Sequence, residues 1–427
     1  MENFKYDPYR KKICQVLATI LLVILWACKK EPKVDENNSP KTGSRTELTI
    51  DSLFLYAKEV YLWNDILPSY GTFSPREKYT HIVPEIKALN TELFDISQLK
   101  VNEKTQLPFE YNSGFPRYSY LQRKSDQTSK ADAIALSNLK KNDIIFSSVD
   151  KISYFAIHSF PPLNVIKSDL DRIFINIAEL RPKYLVVDLR YNKGGYIETA
   201  EYIANLIAPS RLNGKMMYSE KYNNTLASGE AKILKNQPYL DNAGNYVKIG
   251  GRQATLADAD FSEKGNTYNF KKKGKLEGIE NIYFITSGST ASASELLISV
   301  FKPYLNVKLV GKKTYGKPVG YFAINIDKYS IYMSSFLLKN ADGWFDYFEG
   351  IEPNIVVNLL DNPKFGHPDE AGFKSVIQEI NGSEPKLLAK KSMRVFKYRI
   401  YKINIKHQYQ ETLSVEDRLK IRRNLDY

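Results

Sequence analysis

A cluster of small hydroxyl-bearing residues stands where an apolar strand runs into an apolar helix. Residues 285–295 read ITSGSTASASE. A serine there would be exposed at the carboxyl end of a strand, where α/β sheets carry their sites. The first N–H groups of the following helix would be free to stabilise an oxyanion. The segment therefore predicts a nucleophilic serine, although Ser and Thr at a helix start also serve as simple caps.

A lysine that could act as a base follows one helix and one strand later. Residues 310–320 read VGKKTYGKPVG, and Lys317 stands among aromatic and apolar neighbours. Loss of hydration disfavours a charged amine, and a general base must be neutral. The composition alone equally allows a surface lysine whose stem lies along apolar groups.

A third segment, VVDLRYNKGG at residues 186–195, also leaves an apolar strand into a tight turn. Its two adjacent glycines let backbone N–H groups approach a ligand closely. A phosphate-binding loop is the rival interpretation, but the Lys-Ser or Lys-Thr ending of that motif is absent.

Short apolar runs alternate with helical periodicity around these segments, which indicates α/β units with a parallel or mixed sheet. Asp51 is expected to cap a first helix over residues 54–62, and a second helix is expected at 82–89. The remaining predicted elements are strands at 143–148, 153–158, 184–188, 281–285, 307–310, 321–326 and 330–337, and helices at 165–179 and 291–301.

The N-terminus resembles the signal of a bacterial lipoprotein. Three basic residues at 10–12 precede the apolar run 13–27, and the run ends in Leu-Trp-Ala before Cys28. We expect acylation of Cys28 after removal of residues 1–27, which places the protein in the cell envelope of a Gram-negative-type bacterium, facing the periplasm or the cell exterior. An uncleaved signal anchor is the alternative, although the run is short for a bilayer span.

The net charge of +13 does not indicate a nucleic-acid-binding protein. Lys and Arg are spread along the chain, with no long basic run before residue 386 and no recognised motif. The four histidines have no metal-ligand spacing, and His158 is interpreted as a strand residue rather than a triad base. The basic tail from residue 386 is either an added strand or a solvated extension.

Taken together and in this order, the three segments resemble the carboxy-terminal-processing (tail-specific) serine peptidases. That family has a strand ending in Asp-Leu-Arg-x-Asn-x-Gly-Gly, a Ser/Thr-Ala-Ser-Ala-Ser-Glu turn and a Thr-Tyr/Phe-Gly-Lys segment. YLWNDILP at 61–68 and Gly-Ile-Glu-Pro at 350–353 extend the resemblance over roughly residues 47–380. It implies an α/β (α+β) fold with a crotonase-like/ClpP-like peptidase core, a mixed sheet with flanking helices, and a small N-terminal helical module.

The resemblance also implies roles for individual residues. Ser292 would be the nucleophile and Lys317, 25 residues later, its base. The backbone N–H groups of Gly195 and Ala293 would form the oxyanion hole, and no metal or cofactor would be needed. Family members often carry Gln where this chain has Tyr321, whose hydroxyl is the candidate to orient the lysine. Glu295 is expected to have a helix-start or structural role.

The implied organisation is a signal peptide (1–27), a tether (28–46), an N-terminal module (47–141), a catalytic core (142–384) with an insertion (222–280), and a basic extension (385–427). The module at 47–141 lacks a convincing carboxylate-binding loop of a PDZ domain. The expected function is endopeptidase cleavage of envelope or periplasmic polypeptides. The alternatives are an inactive envelope peptide-binding protein that keeps this fold, and an esterase or amidase that uses the same dyad.

Overall fold

The computed structural model describes residues 39–125, 143–240, 245–360, 363–382 and 401–404. Its α-helices are α1 Arg45–Val60, α2 Tyr70–Phe73, α3 Pro75–Tyr79, α4 Glu85–Ser97, α5 Leu163–Glu179, α6 Ile197–Ile207, α7 Asn224–Ala227, α8 Ala293–Ser299 and α9 Ala371–Asn381. Short 3-10 helices lie at Asn64–Ile66, Ser210–Leu212, Lys232–Asn236 and Leu256–Asp258.

The strands are β1 Val101–Asn102, β2 Leu107–Pro108, β3 Tyr120–Arg123, β4 Asp143–Val149, β5 Ile152–Ala156, β6 Tyr184–Asp188, β7 Met216–Tyr222, β8 Lys248–Ile249, β9 Arg252–Gln253, β10 Thr267–Asn269, β11 Asn281–Thr286, β12 Asn306–Gly311, β13 Val319–Gly320, β14 Ala323–Ile326, β15 Tyr329–Tyr332, β16 Phe336–Asn340, β17 Ile355–Val356 and β18 Tyr401–Asn404.

Seven strands form the main sheet, in the order β17-β12-β11-β6-β5-β4-β18. The strands from β17 to β5 run parallel, and β4 and β18 add to the edge in antiparallel fashion. A four-stranded sheet (β10-β7-β16-β13) and a three-stranded sheet (β14-β15-β3) complete the core. The predicted α/β class with a mixed sheet and flanking helices is confirmed.

The two faces of the main sheet are buried against different layers. Leu185 and Val187 of β6 join one apolar cluster, whereas Val186, between them, joins another that contains Phe373 of α9. Since successive side chains of a strand point to opposite faces, a strand covered on both sides reads as a continuous apolar run. This explains why the sequence of β6 shows no alternation.

Helix α1 begins earlier than the sequence pattern predicted. Ser44 is its N-cap, and the Glu47 side chain accepts a hydrogen bond from the Ser44 backbone. The expectation that Asp51 caps this helix was wrong. Asp51 lies inside α1, is buried, and accepts hydrogen bonds from Arg76 at 2.6 Å and Tyr70 at 2.7 Å. A buried acid with these partners fixes α1 to the two short helices that follow it.

The bounds of other helices and strands also differ from the predicted ones. The second helix spans Glu85–Ser97 rather than 82–89, because Pro84 precedes its first turn. The expected strand at 321–326 is shortened to β14, and the expected strand at 330–337 is divided, since β15 pairs in one sheet and β16 in another. In the tail, β18 is an added strand on β4.

The signal segment 1–27 and Cys28 lie outside the described residues. In the part of the chain that is described, no helix has both the length and the apolar character of a membrane span.

Candidate active site

Ser292 occupies the turn between β11 and α8. Its backbone has φ 57° and ψ −119°, a left-handed conformation that costs a non-glycine residue about 1–3 kcal/mol. Neighbouring contacts hold the turn in place. The Ala291 N–H donates to the Asn192 carbonyl at 3.2 Å, and the Ser294 hydroxyl donates to the same oxygen at 3.0 Å. The strained serine is thus fixed against the loop that follows β6.

That loop brings two glycines beside the serine. A Cβ at Gly194 would lie 3.0 Å from the Ser292 Cβ and 3.2 Å from the Ala293 nitrogen. A Cβ at Gly195, where φ is +129°, would lie 2.2 Å from the Phe160 carbonyl oxygen. Only glycine fits both positions. Neither the Gly195 nor the Ala293 N–H donates a hydrogen bond to another described residue. Both donors therefore remain available to an anionic oxygen.

Lys317 lies in the loop between β12 and β13 and is half-buried. Its Nζ donates to the Tyr321 hydroxyl at 3.3 Å and lies 4.6 Å from the centre of the same ring. No hydrogen bond joins Nζ to the Ser292 Oγ in this structure. Catalytic hydrogen bonds are often long in substrate-free enzymes and tighten when substrate binds, and the lysine stem has several rotatable bonds.

The Glu295 carboxylate joins the two loops. Oε2 accepts the Ser292 N–H at 2.9 Å and the Lys317 N–H at 2.8 Å. Oε1 accepts the Gly316 N–H at 2.7 Å and the Thr314 hydroxyl at 2.5 Å. The backbone nitrogens of Ser292 and Lys317 are therefore no farther apart than the sum of the first two distances. The sequence indicated a helix-start or structural role for Glu295 but not its bonds to Lys317 and Gly316, because these bonds depend on tertiary packing.

Burial dominates the electrostatics of this carboxyl group. Glu295 is fully buried. Removal from water raises the pKa of Glu295, while the hydrogen bonds from Thr314 and from the backbone act in the opposite direction. A buried acid with four donors is well satisfied, so it holds both loops rigidly.

A buried ion network anchors the glycine loop at its other end. Arg190 is 1% exposed and lies between two acids, 2.7 Å from Asp188 and 2.6 Å from Glu370 of the α9 N-cap. Tyr154 donates to Asp188 at 2.6 Å. Burial alone would raise the pKa of Glu370, but the hydrogen bonds and charge of Arg190 outweigh it, and the net pKa falls below its usual value.

Asp188 and Arg190 belong to the motif at residues 186–195, but the sequence indicated no role for either of them. Nothing in the sequence pointed to Glu370. An Asp-x-Arg pair at the end of an apolar strand could have indicated a buried ion pair, because charges that are buried must be paired. The partner on α9 is distant in sequence and carried no signal of its own.

Asn192 was also missed. Its side-chain oxygen accepts the Gly194 N–H at 2.9 Å, and its amide donates to the Ile157 carbonyl at 3.1 Å. Asn192 is fully buried, and its own carbonyl receives the two bonds from the serine turn described above. It therefore couples the glycine loop, the residue that follows β5 and the serine turn.

His158 lies just past the end of β5 rather than inside the strand. Its ring packs on Phe365, with centres 4.6 Å apart, and on Tyr191, with centres 5.8 Å apart. Within the described ranges, no cluster of three or more His, Cys, Asp or Glu side chains is placed to hold a metal ion.

Comparison with known proteins finds a family that matches the part of the chain that forms this site. The model of peptidase family S41 matches residues 151–357, which contain all three sequence motifs. A search of curated proteins gives no match.

Three solved structures are similar at low identity. They are a putative S41 protease from Bacteroides fragilis (20% identity, TM-score 0.40, covering 54% of this chain and 54% of that one), the photosystem II D1 C-terminal processing protease (10%, 0.44, 74% and 94%), and a putative peptidase from Parabacteroides merdae (14%, 0.47, 80% and 100%). This chain therefore spans about half the length of the first of them.

The family match covers the β6 loop, the serine turn and the lysine loop. Asn192 joins the β6 loop to the serine turn, and Glu295 joins the serine turn to the lysine loop. Residues 151–357 of this chain, which hold all three sequence motifs, therefore match peptidase family S41.

Proposed function

We propose that this protein is an endopeptidase that uses Ser292 as nucleophile and Lys317 as general base. One observation carries the assignment: a single oxygen of Glu295 binds the backbone N–H groups of both residues. The two side chains consequently start from neighbouring points of the backbone. Polypeptides are the substrates that this family implies.

The proposed reaction has two halves. Neutral Lys317 takes the Ser292 hydroxyl proton while the oxygen attacks a peptide carbonyl, and the N–H groups of Gly195 and Ala293 stabilise the resulting oxyanion. The lysine ammonium then protonates the leaving amine as the C–N bond breaks. Water then attacks the acyl-enzyme and loses a proton to Lys317. The bond between the acyl carbon and the Ser292 oxygen breaks, Lys317 returns the proton to that oxygen, and the second product leaves as a carboxylic acid that ionises in water.

Tyr321 supports the lysine in this scheme. Its hydroxyl is 3.3 Å from Nζ, which is close enough to orient the amine in place of the glutamine that family members often carry at this position. Its ring face, 4.6 Å from Nζ, also stabilises the ammonium that forms when Ser292 is deprotonated.

The proposed location is the cell envelope, through a lipid on Cys28. The support is the order of basic residues, apolar run and cysteine at the N-terminus. The proposed substrates are accordingly envelope or periplasmic polypeptides.

Digestion of reduced, carboxymethylated lactalbumin tests the dyad. Purified wild-type protein should fragment it, whereas Ser292→Ala and Lys317→Ala should each lose at least about 1,000-fold in rate. Ser289→Ala and Lys312→Ala, which change neighbouring residues of the same loops, are the matched controls and should cleave normally.

Equal cleavage by all of these variants would reject the dyad. Absence of cleavage by the wild type would favour an inactive peptide-binding protein, and hydrolysis of a nitrophenyl ester without proteolysis would favour an esterase or amidase.

A further inference from the structure

We propose that Tyr120, Tyr321 and Tyr332 form a tyrosine ledge that binds an aromatic or large aliphatic side chain of the polypeptide substrate, within about three residues of the bond that is cleaved. The assignment rests on the proposed endopeptidase function. The three rings come from β3, from the link between β13 and β14, and from the end of β15.

The ledge is a rigid aromatic assembly. Tyr120 stacks on Tyr332, with ring centres 4.6 Å apart and an angle of 14° between the rings. Tyr321 meets both of them edge-on, at 5.5 Å from Tyr120 and 5.6 Å from Tyr332. Tyr120 and Tyr332 are also direct cross-strand partners in the antiparallel pair of β3 and β15. Paired strands and stacked rings fix the rings before any ligand arrives.

One residue of the ledge is partly exposed to solvent. Tyr332 is 6% exposed, whereas Tyr120 keeps 40% of its surface exposed. An aromatic ring that is held on a packed support and still faces solvent can cover an apolar side chain with little loss of conformational entropy.

The ledge lies within reach of the reacting bond. The Lys317 Nζ is 4.6 Å from the centre of the Tyr321 ring, and the Tyr120 ring centre is 5.5 Å from that of Tyr321, so Nζ and the Tyr120 ring centre are no farther apart than the sum of these distances. An extended peptide advances about 3.4 Å per residue. A peptide whose carbonyl is attacked by Ser292 must pass close to Lys317, so a side chain within about three residues of that carbonyl reaches Tyr120.

Peptide binding to a variant that cannot hydrolyse the peptide tests the ledge separately from the proposed cleavage reaction. In the Ser292→Ala background, two synthetic ten-residue peptides would be titrated by calorimetry, one of alanine and glycine only and one with a single central phenylalanine. The phenylalanine peptide should bind about two- to tenfold more tightly, the range expected for one aromatic contact.

Tyr120→Ala, added to this background, should abolish the preference while leaving the affinity for the alanine peptide unchanged. Tyr120→Phe keeps the ring and should keep the preference. Tyr246→Ala removes a tyrosine that is 56% exposed in the insertion, and it should have no effect.

The ledge proposal would be overturned if the two peptides bind with equal affinity or if neither binds. It would also be overturned if Tyr120→Ala lowers the affinity for both peptides equally. The wild-type digestion described above judges the peptidase proposal separately. A ledge preference without hydrolysis would reject the endopeptidase but retain the peptide site, whereas hydrolysis without a ledge preference would reject only the site.

Discussion

Replacing Glu295 with glutamine exchanges one of its two oxygens for an NH₂ group. Two of the four donors that converge on this side chain, from Ser292, Lys317, Gly316 and Thr314, would then face another donor. A hydrogen bond to a charged group contributes about 1.5–3 kcal/mol. The contacts that hold the serine and lysine loops together would therefore weaken by about 3–6 kcal/mol.

We expect Glu295→Gln to lower kcat strongly and to change the free energy of unfolding only modestly. A shift of about 1 Å between nucleophile and base costs about 100-fold in rate, so we expect kcat of Glu295→Gln to fall at least about 100-fold. The free energy of unfolding should change by less than about 2 kcal/mol. The reason is that burial raises the pKa of Glu295, and a neutral amide avoids the desolvation cost of the carboxylate.

Thr314→Val is the matched control. It removes one donor to Glu295 and the acceptor of the Ile351 N–H, but it leaves the bonds to Ser292 and Lys317 intact. We expect it to lose about 1–3 kcal/mol of stability and to retain kcat within tenfold. Initial rates on the unfolded protein substrate and urea denaturation measure the two quantities. The reasoning is refuted if Glu295→Gln keeps kcat within tenfold of wild type, or if Thr314→Val loses as much kcat as Glu295→Gln.

Two further predictions address the oxyanion loop and the N-terminal helices. Gly195→Ala would place a Cβ 2.2 Å from the Phe160 carbonyl oxygen, so kcat should fall about 100- to 1,000-fold, the cost of losing an oxyanion donor. Gly343 shares a positive φ, but a Cβ there would meet only the Lys339 Cε, at 3.9 Å, so Gly343→Ala should leave kcat unchanged. Equal losses in both variants would argue against the oxyanion role. Burial, followed by the charges of Asp51 and Asp95, raises the pKa of Glu92 well above its usual range, so stability falls as pH rises from about 4.5 through the folded-state pKa. Glu92→Gln should therefore raise the melting temperature at pH 8 but not at pH 4, and an equal shift at both pH values would contradict this assignment.

Local patterns carried much of the fold. The apolar runs of β6 and β11 were predicted with the correct first residue, and the structure extends β11 to Thr286. The helix predicted at 165–179 differs from α5 only by its first two residues. These elements were predictable because burial on both faces, or on one stripe of a helix, leaves a periodic record in the chain.

The errors arose where a side chain had two possible roles. Asp is a common residue at a helix start, so Asp51 was predicted to cap α1. Its actual role is to pair with Arg76 on a later helix, which the local sequence does not show. The boundary between β15 and β16 was missed, because the chain changes sheets there without any change in composition. The predicted domain boundaries, the signal peptide and the lipidation of Cys28 stay predictions.

The sequence by itself determined the order of three motifs and the residue types that can supply a nucleophile, a base and an oxyanion hole. Only the tertiary structure decided that Glu295 binds both the serine loop and the lysine loop, that Arg190 pairs with Glu370, and that Tyr120 packs edge-on against Tyr321. The physical reason is the range of the interactions. Helix and strand periodicity is set by neighbours a few residues apart, whereas these contacts exist only after the sheets have paired and distant loops have packed together.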